Sequence, residues 1–376
     1  EPHPRRKRLV NSPAAWASTR HMMHEIDDVR IQNIRPLMAP EILLEDLPLS
    51  DSQNETIFAG RREIERVIDG EDDRLVLVVG PCSIHDPEAG LEYARKLAPI
   101  REQFKDELAI VMRVYFEKPR TTVGWKGLIN DPDLDGSFSI RAGLRKARKF
   151  LIDVTEIGLP TGSEFLDPIM PQFYADLVSW GAIGARTSES QVHRELSSGL
   201  SMPVGFKNGT YGTVQMAIDA IGAAAGEHHF LSVTKQGIAG IVATKGNPYC
   251  HVILRGGTSG PNYDAASIAS VSKMLGESKL PDRIMVDCSH ANSGKNHENQ
   301  PGVAQALADQ VAAGNQAIFG MMMESFLLDG NQKHSQSQGS EGLVYGQSIT
   351  DKCMSWERTE PLFECLAEAV RKRRAR

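Results

Sequence analysis

The stretch of this sequence that most clearly carries chemistry is a basic loop between residues 111 and 127. A short apolar run precedes it, and a proline and two glycines within it predict a loop rather than a helix. Cations packed among aromatic rings are costly to bury unless they face an anion, so the segment predicts an anion site. The simpler alternative is a solvated basic loop. The cations are Arg113, Lys118, Arg120 and Lys126, and the aromatic residues are Tyr115, Phe116 and Trp125.

Further cations follow the ends of other apolar runs in the chain. Several positive side chains that converge on one place exceed what a single carboxylate needs, and they suit a small substrate that carries both a phosphate and a carboxylate. Arginine forks bind either group through two parallel hydrogen bonds. Glu164, at the end of another run, could pair with Arg113, and its role stays open. The converging cations are Arg113, Lys118, Arg186, Lys207 and Arg255.

A second group of reactive side chains occupies equivalent places. Cys82, His290, Glu324 and Asp351 offer a thiolate, an imidazole and two carboxylates. That mixture could hold one divalent metal ion, and the ligand types leave Mn, Fe, Co and Zn open. No short metal-binding motif is present, so the site depends on a fold that brings the four together. Taken singly, the cysteine and histidine could be core residues and the carboxylates could be surface groups.

The elements that must position these residues begin at about residue 75. Short apolar runs there predict strands that are buried on both faces, and they alternate with amphipathic runs that predict helices. Eight such units in about 300 residues predict a (β/α)8 TIM barrel, in which the chemistry lies at the C-terminal ends of the strands. The predicted strands are 75–80, 109–115, 160–166, 181–185, 203–207, 251–256, 283–289 and 317–324, and the predicted helices are 87–104, 137–154, 168–180, 189–199, 213–224, 264–276, 302–313 and 361–373.

A doubly wound open sheet is the alternative fold, but residues 80–85 lack the Gly-rich first turn of a nucleotide-binding sheet. In the barrel interpretation, residues 1–74 form an N-terminal extension with a regulatory or oligomerisation role, and residues 75–376 form the catalytic barrel. The extension contains a predicted helix over 55–68 that ends at Gly70. Residues 230–250 predict an inserted β-hairpin, because two short apolar runs flank a pair of glycines.

The composition limits the class of function. The 42 Lys and Arg residues against 48 Asp and Glu residues give a net charge of −6. This balance argues against a general nucleic-acid binder. No stretch approaches the ~18 uncharged apolar residues that would suggest a membrane span. The five cysteines form no CxxC pair, a pattern that suits a reducing, cytoplasmic location.

Seven segments resemble one enzyme family, the type I alpha form of 3-deoxy-D-arabino-heptulosonate 7-phosphate synthase (DAHP synthase), which is the first enzyme of the shikimate pathway. The resemblance runs from about residue 27 to the C-terminus, and residues 1–26 fall outside it. The long segments are the most specific. The seven are 80–86 (GPCSIHD), 117–121 (EKPRT), 184–187 (GART), 203–210 (PVGFKNGT), 253–257 (ILRGG), 287–290 (DCSH) and 348–351 (SITD).

The resemblance implies condensation of phosphoenolpyruvate with D-erythrose 4-phosphate and water, with release of phosphate. It implies catalytic roles for Lys118, His290 and Cys82, with Lys118 as a candidate proton donor. A metal ion would act as a Lewis acid on the aldehyde oxygen. Arg120 and Thr121 would bind erythrose 4-phosphate. Phosphoenolpyruvate would bind to Arg113, Lys118, Arg186, Lys207 and Arg255, and the metal ligands would be Cys82, His290, Glu324 and Asp351.

The resemblance also implies feedback control at a pocket away from the active site. The N-terminal extension and the hairpin would form this pocket, and the expected effector is phenylalanine or tyrosine. Alternatively, the extension would only pack on a neighbouring subunit of a homodimer or homotetramer. The pocket residues would be Asp28, Pro171, Gln172, Leu200, Ser201, Phe230 and Val242.

Three other interpretations of these residues stay open. A related synthase that uses arabinose 5-phosphate has a similar barrel, although the EKPRT segment and the long extension favour erythrose 4-phosphate. An aldolase that forms a Schiff base could use Lys207. A catalytically silent, amino-acid-sensing homologue could keep the same barrel, but it would be expected to have lost some of the cations and ligands.

Overall fold

The computed structural model describes residues 26–119 and 124–376. These described residues divide into two units, one before Met38 and one from Met38 onward. Within the first unit, residues 26–37 form neither helix nor strand. Asp28 lies in a turn there with a φ of 54°, and its carbonyl accepts a 2.9 Å hydrogen bond from the amide of Ile31. Aspartate tolerates this left-handed conformation better than most residues do.

The second unit contains the predicted barrel, and the fold class is confirmed. Its strands are β1 (Leu75–Gly80), β2 (Leu108–Arg113), β3 (Thr161–Glu164), β4 (Trp180–Ile183), β5 (Val204–Lys207), β6 (His229–Val233), β7 (Ala239–Ala243), β8 (Cys250–Leu254), β9 (Ile284–Asp287) and β10 (Ile318–Glu324). Eight of them are parallel and close in the order β1-β2-β3-β4-β5-β8-β9-β10. The remaining two, β6 and β7, pair antiparallel as the predicted hairpin.

Helices cover the outside of the barrel between strands, as the amphipathic runs predict. The helices of the described residues are α1 (Pro40–Asp46), α2 (Asp51–Asp69), α3 (Pro87–Gln103), α4 (Ile140–Glu156), α5 (Pro171–Tyr174), α6 (Gln191–Gly199), α7 (Gln215–Ala224), α8 (Ala265–Glu277), α9 (Gln300–Ala312) and α10 (Trp356–Arg374), of which α1 and α2 precede the first strand. Most bounds lie within three residues of the predicted ones. None of the helices in residues 26–119 and 124–376 is long and apolar enough to cross a bilayer.

Two helix predictions need correction. The helix expected over 168–180 is reduced to α5 and a 3-10 turn over Ala175–Leu177, because the chain already extends at Val178 to enter β4. The last helix starts at Trp356, five residues before the predicted start at Pro361. The buried Trp356 ring packs edge-on against Tyr93 with 5.4 Å between centroids. This packing stabilises the first turn of α10, although Pro361 within the helix removes one backbone hydrogen bond.

Helix α2 closes the N-terminal end of the barrel. It begins with a capping box between Ser50 and Gln53 and ends at Gly70 in the left-handed conformation, with a φ of 78°. Its buried face packs against residues inside the barrel through Ile64 and Val67. Helices α1 and α2 belong to the same compact unit as the barrel, which starts at Met38, and the functional boundary between residues 74 and 75 stays a prediction.

Alternate strand residues point into and out of the barrel, as strand geometry requires. On β1, Val76 and Val78 pack with residues of the other strands inside the barrel. Leu75, Leu77 and Val79 pack outward under the helices. The same alternation carries a charged side chain inward at the last position of several strands, and this brings those side chains together at the C-terminal end.

Candidate active site

A cavity of about 790 Å³ opens at the C-terminal ends of the barrel strands, where active sites lie in this fold. Its walls come from β2, β3 and β5 and from the loops after β4, β8 and β9. All five predicted cations line it, together with His290 and Asp351. The structure therefore brings together residues that are far apart in sequence, as the barrel prediction required.

Arg113 ends β2 and is almost completely buried inside the barrel. Its guanidinium donates to Glu324 Oε1 at 2.9 Å and to the carbonyl of Pro81 at 3.0 Å. Burial alone would lower the pKa of Arg113, but Tyr115 and Glu324 outweigh it and the pKa is raised. The partner of Arg113 is therefore Glu324, and Glu164 lines the cavity elsewhere.

Lys207 ends β5 and meets Asp287, which ends β9. Its Nζ lies 3.1 Å from Asp287 Oδ2, and His290 Nδ1 lies 2.8 Å from the same oxygen. Burial would raise the pKa of Asp287, but His290 and Lys207 hold it well below its usual range. Sequence reasoning assigned no role to Asp287. Its inward position two residues after the buried Met285 was the signal that could have found it.

Arg186 and Arg255 line the same cavity from the loops after β4 and β8. Burial lowers the pKa of Arg255; Asp287 opposes this shift and Arg186 adds to it. Two guanidinium groups close enough to affect each other favour a bound anion between or beside them. The fixed cations thus give the cavity the charge expected of a phosphate and carboxylate site.

Lys118 lies at the predicted metal ligands as well as at the cavity. Its Nζ is 2.9 Å from Cys82 Sγ and 2.7 Å from Asp351 Oδ2. A hydrogen bond of 2.8 Å from its amide to the carbonyl of Lys126 draws together the two ends of the loop. Burial would lower the pKa of Lys118, but Cys82 and Asp351 raise it, so the side chain carries a proton.

Three of the four predicted metal ligands form a cluster. The ligand atoms of Cys82, Glu324 and Asp351 lie within 4.8 Å of one another. A thiol and two carboxylates are donors that first-row divalent metals accept. The ammonium of Lys118 already lies against two of these donors, which shows that the cluster attracts a positive charge. The residues therefore fit a divalent ion.

His290 is near this cluster but is not part of it. Its Nδ1 faces Asp287, and its backbone has a φ of 54°. Burial would raise the pKa of Glu324 and of Asp351, but Arg113 and Lys118 respectively hold these pKa values below their usual range, and the nearby His290 adds to both effects. A carboxylate on one ring nitrogen is the usual partner of a metal-binding histidine, because it orients the other nitrogen.

The Cys82 thiol is buried, and burial together with Glu324 raises its pKa to about 11. A neutral thiol is a poor metal ligand, since the thiolate is the form that binds. Lys118 opposes the shift, and a bound metal ion would oppose it further. All five cysteines of the chain are free thiols.

Two further residues of the cavity were missed by sequence reasoning. Glu117 is buried, accepts the amides of Leu166 and Asp167 at 3.4 and 3.3 Å, and lines the cavity beside Lys118. Burial and the nearby Asp167 raise its pKa to about 8. Tyr115 also lines the cavity. Both lie in the basic loop, where the charge and apolar pattern did not show which way each side chain points. Arg120 and Thr121 lie outside the described residues.

The predicted effector residues of the barrel unit lie on three adjoining elements. Phe230 and Val242 are paired across the hairpin. Leu200 and Ser201 follow α6, whose Ser198 hydroxyl is 2.6 Å from the Thr244 hydroxyl at the base of the hairpin. Pro171 and Gln172 begin α5, and the Gln172 carbonyl accepts from Lys235 at the hairpin turn. Asp28 belongs to the other compact unit.

The closed barrel and the cavity at its C-terminal end define the class of this protein. It is a (β/α)8-barrel enzyme whose active site is built from strand ends and the loops that follow them.

Comparison with known proteins narrows that class. The model of the DAHP synthetase I family matches residues 47–364. The Phe-sensitive phospho-2-dehydro-3-deoxyheptonate aldolase of Escherichia coli K12 is 56% identical over 353 residues, which cover 94% of this chain and 100% of the relative. The tyrosine-inhibited enzyme of Schizosaccharomyces pombe is 54% identical over 350 residues, covering 93% and 94%.

A solved structure of the same kind of aldolase, from Francisella tularensis SCHU S4, superposes with a TM-score of 0.88 at 52% identity. The superposition covers 91% of this chain and 99% of the Francisella tularensis chain. The chain therefore belongs to the DAHP synthetase I family, the enzymes of the first step of the shikimate pathway.

Proposed function

We propose that this protein condenses phosphoenolpyruvate with D-erythrose 4-phosphate and water to give 3-deoxy-D-arabino-heptulosonate 7-phosphate and inorganic phosphate. In this reaction C3 of phosphoenolpyruvate forms a bond to the aldehyde carbon, water adds its oxygen at C2, and the C2–O bond to phosphate breaks. The observation that carries the proposal is the convergence of five cations on one cavity beside a metal-type donor cluster.

In this proposal the cations bind phosphoenolpyruvate by charge and geometry. Arg113 and Lys207 each pair with a buried carboxylate, so both cations are held in place at the cavity wall. Arg186 and Arg255 supply two planar forks from the opposite loops, a geometry that suits phosphate. Fixed donors accept a substrate anion without reorganising, which lowers the cost of binding and of charge development.

The metal ligands in this proposal are Cys82, His290, Glu324 and Asp351. A divalent ion of Mn, Fe, Co or Zn held there would polarise the aldehyde carbonyl of erythrose 4-phosphate. Asp287 would orient His290 towards this ion through Nδ1, at the 2.8 Å separation seen in the structure.

Lys118 is assigned the proton that the aldehyde oxygen gains as the carbon–carbon bond forms. It carries a proton at neutral pH, because Cys82 and Asp351 raise its pKa. A divalent ion held by Cys82 and Asp351 would place a positive charge beside Lys118 and would lower that pKa towards the range in which a lysine donates readily. Arg120 and Thr121 are assigned to the phosphate of erythrose 4-phosphate, on the basis of the EKPRT motif.

The test is release of inorganic phosphate from phosphoenolpyruvate plus erythrose 4-phosphate. Release that needs both substrates, stops after EDTA treatment and returns with Mn²⁺ would support the reaction and the metal site together. Release that survives exhaustive EDTA treatment would contradict the metal site. Arabinose 5-phosphate is the matched sugar control and should give little turnover. Amino-acid binding with no phosphate release under any metal would support the silent, sensing homologue instead.

We further propose that an aromatic amino acid, phenylalanine or tyrosine, inhibits this enzyme at the hairpin pocket, and that the enzyme is a homodimer or homotetramer. The support is twofold: the barrel-unit residues of the predicted pocket lie on adjoining elements, and two relatives are named Phe-sensitive and tyrosine-inhibited. The pocket assigned is Asp28, Pro171, Gln172, Leu200, Ser201, Phe230 and Val242.

Deleting residues 1–35 should abolish inhibition and largely spare turnover. Phe230→Ala should also relieve inhibition. Leu231→Ala is the matched control, because the side chain of Leu231 points to the other face of the hairpin and is 84% exposed. Inhibition that survives both the deletion and Phe230→Ala would show that the effector binds elsewhere. Sedimentation velocity of the full chain tests the oligomeric state.

A further inference from the structure

The ring of Tyr115 lies beside two of the cavity cations and has no assigned role. The guanidinium carbon of Arg113 is 3.6 Å from the centroid of this ring, and Lys207 Nζ is 5.9 Å from it. Both distances fall within the range of cation–π attraction, and the first is close contact. The ring is 2% exposed and lines the cavity, so the contact is desolvated and correspondingly strong.

The chain fixes this ring independently of the cations. Tyr115 lies two residues after Arg113, so its side chain points to the same side of the extended chain. Its carbonyl accepts a 2.9 Å hydrogen bond from the amide of Ile84. Its hydroxyl lies 3.9 Å from the sulfur of Met322, which is a weak acceptor. The aromatic face, rather than the hydroxyl, therefore makes the strong contact.

The aromatic face of Tyr115 attracts the two cations without neutralising their charge, which a third carboxylate would do. Arg113 and Lys207 each have one buried acidic partner, Glu324 and Asp287. A further carboxylate at position 115 would neutralise the remaining positive charge and repel an anionic substrate. A π face attracts both cations but leaves their net charge available to the cavity. An aliphatic side chain would fill the space without holding either cation.

We propose that Tyr115 is a positioning residue for phosphoenolpyruvate, and that its ring holds Arg113 and Lys207 in the arrangement that receives the substrate anion. The proposal rests on the proposed function, in which these two cations bind phosphoenolpyruvate. It assigns the effect to the electrons of the ring, so it makes a prediction that separates it from a role in packing.

The decisive experiment changes ring electrons at nearly constant shape. Position 115 of the full-length, Mn²⁺-loaded enzyme is filled with phenylalanine and with phenylalanine carrying one, two or three ring fluorines. Titration calorimetry then measures the Kd for phosphoenolpyruvate. We expect Y115F to bind within about threefold of wild type and the Kd to rise stepwise, about tenfold across the fluorine series. A Kd that is constant across the series would overturn the proposal.

Steady-state kinetics of Tyr115→Met gives a second measurement, since methionine has a similar length and no π face. We expect KM for phosphoenolpyruvate to rise about tenfold or more, with KM for erythrose 4-phosphate within about twofold of wild type. Equal rises in both KM values, or a loss in Y115F as large as in Y115M, would indicate general disruption and overturn the proposal. If the wild-type enzyme does not bind phosphoenolpyruvate, the proposed function is refuted. The comparison among the fluorinated variants tests only the role of Tyr115, so the two failures can be told apart.

Discussion

The two ends of the barrel differ in chemistry although the same eight strands build both. At the N-terminal end the inward side chains are apolar apart from His251, and Ile64 and Val67 of α2 pack against them. At the C-terminal end the inward side chains are charged and lie under the cavity. The charged inward residues that end their strands are Arg113, Glu164, Lys207, Asp287 and Glu324.

The N-terminal end of the barrel therefore contributes mainly to stability, and the C-terminal end forms the active site. Apolar burial at the N-terminal end stabilises the fold by about 25 cal/mol per Å² removed from water. Burial of charge at the C-terminal end costs free energy unless each charge is paired, and here Arg113 pairs with Glu324 and Lys207 pairs with Asp287. Apolar packing at the N-terminal end therefore supplies the stability that buried charge at the C-terminal end does not. Substitutions at the N-terminal end should lower the free energy of unfolding, and substitutions at the C-terminal end should lower activity.

The largest effect is expected for Arg113→Met, which removes a substrate cation and leaves Glu324 buried without its partner. We expect kcat/KM to fall by about a hundredfold to a thousandfold, and the free energy of unfolding of the metal-free protein to fall by about 3–5 kcal/mol. Kinetics and urea unfolding measure the two. Arg62→Met is the control, because Arg62 pairs with Glu65 on the exposed side of α2 and should change neither. Wild-type activity in the Arg113 variant would contradict the substrate assignment.

The reverse result is expected for Ile64→Ala at the N-terminal end. Ile64 is fully buried, and a cavity there should cost about 2–5 kcal/mol of unfolding free energy while kcat stays unchanged. Phe58→Ala, on the exposed side of the same helix, serves as control and should leave stability nearly unaltered. A fall in kcat at full stability would show that the two ends are coupled.

A smaller effect concerns the buried carboxyl of Glu117 at the functional end. Its pKa is raised to about 8, so the folded protein holds a proton that the unfolded chain releases near its ordinary value of 4.5. Its contribution to stability is present below about pH 4.5 and is lost as the pH rises through 8, at up to about 1.4 kcal/mol per pH unit. Glu117→Gln should remove this slope in urea unfolding measured from pH 5 to 9. Parallel pH profiles for the two proteins would exclude the raised pKa.

The smallest effect, with the opposite sign, concerns His251 near the N-terminal end. Burial lowers its pKa to about 4. Its Nε2 lies 3.1 Å from the indole nitrogen of Trp180, which can only donate, so Nε2 accepts. A lowered folded-state pKa gives stability that is present above about pH 6.5 and is lost as the pH falls through 4. His251→Gln should flatten unfolding profiles between pH 4 and 6.5, and the same variant at pH 7–8 provides the baseline. An unchanged acid slope would mean that other groups cause it.

Much of the barrel could be predicted from sequence because its elements are local. Apolar runs mark most of the barrel strands, although β3 consists of Thr-Gly-Ser-Glu. The cations fall at strand ends, where the fold collects them. The hairpin was also visible, from two short runs around glycine. The helix over 168–180 was wrong because its apolar residues suit either a helix or the approach to a buried strand, and only packing decides between them.

The sequence by itself placed the strand-end residues Arg113, Lys207 and Glu324 at the C-terminal end, since strand periodicity follows from the local chain. It did not reveal Asp287, Glu117 or Tyr115 there. Only the tertiary structure decided the pairings: Arg113 with Glu324, 211 positions away, and the Nδ1 atom of His290 with Asp287. The physical reason is that alternation along a strand is a property of neighbouring residues. The choice of partner for a buried charge depends on desolvation and distance across the closed barrel, which no local pattern contains.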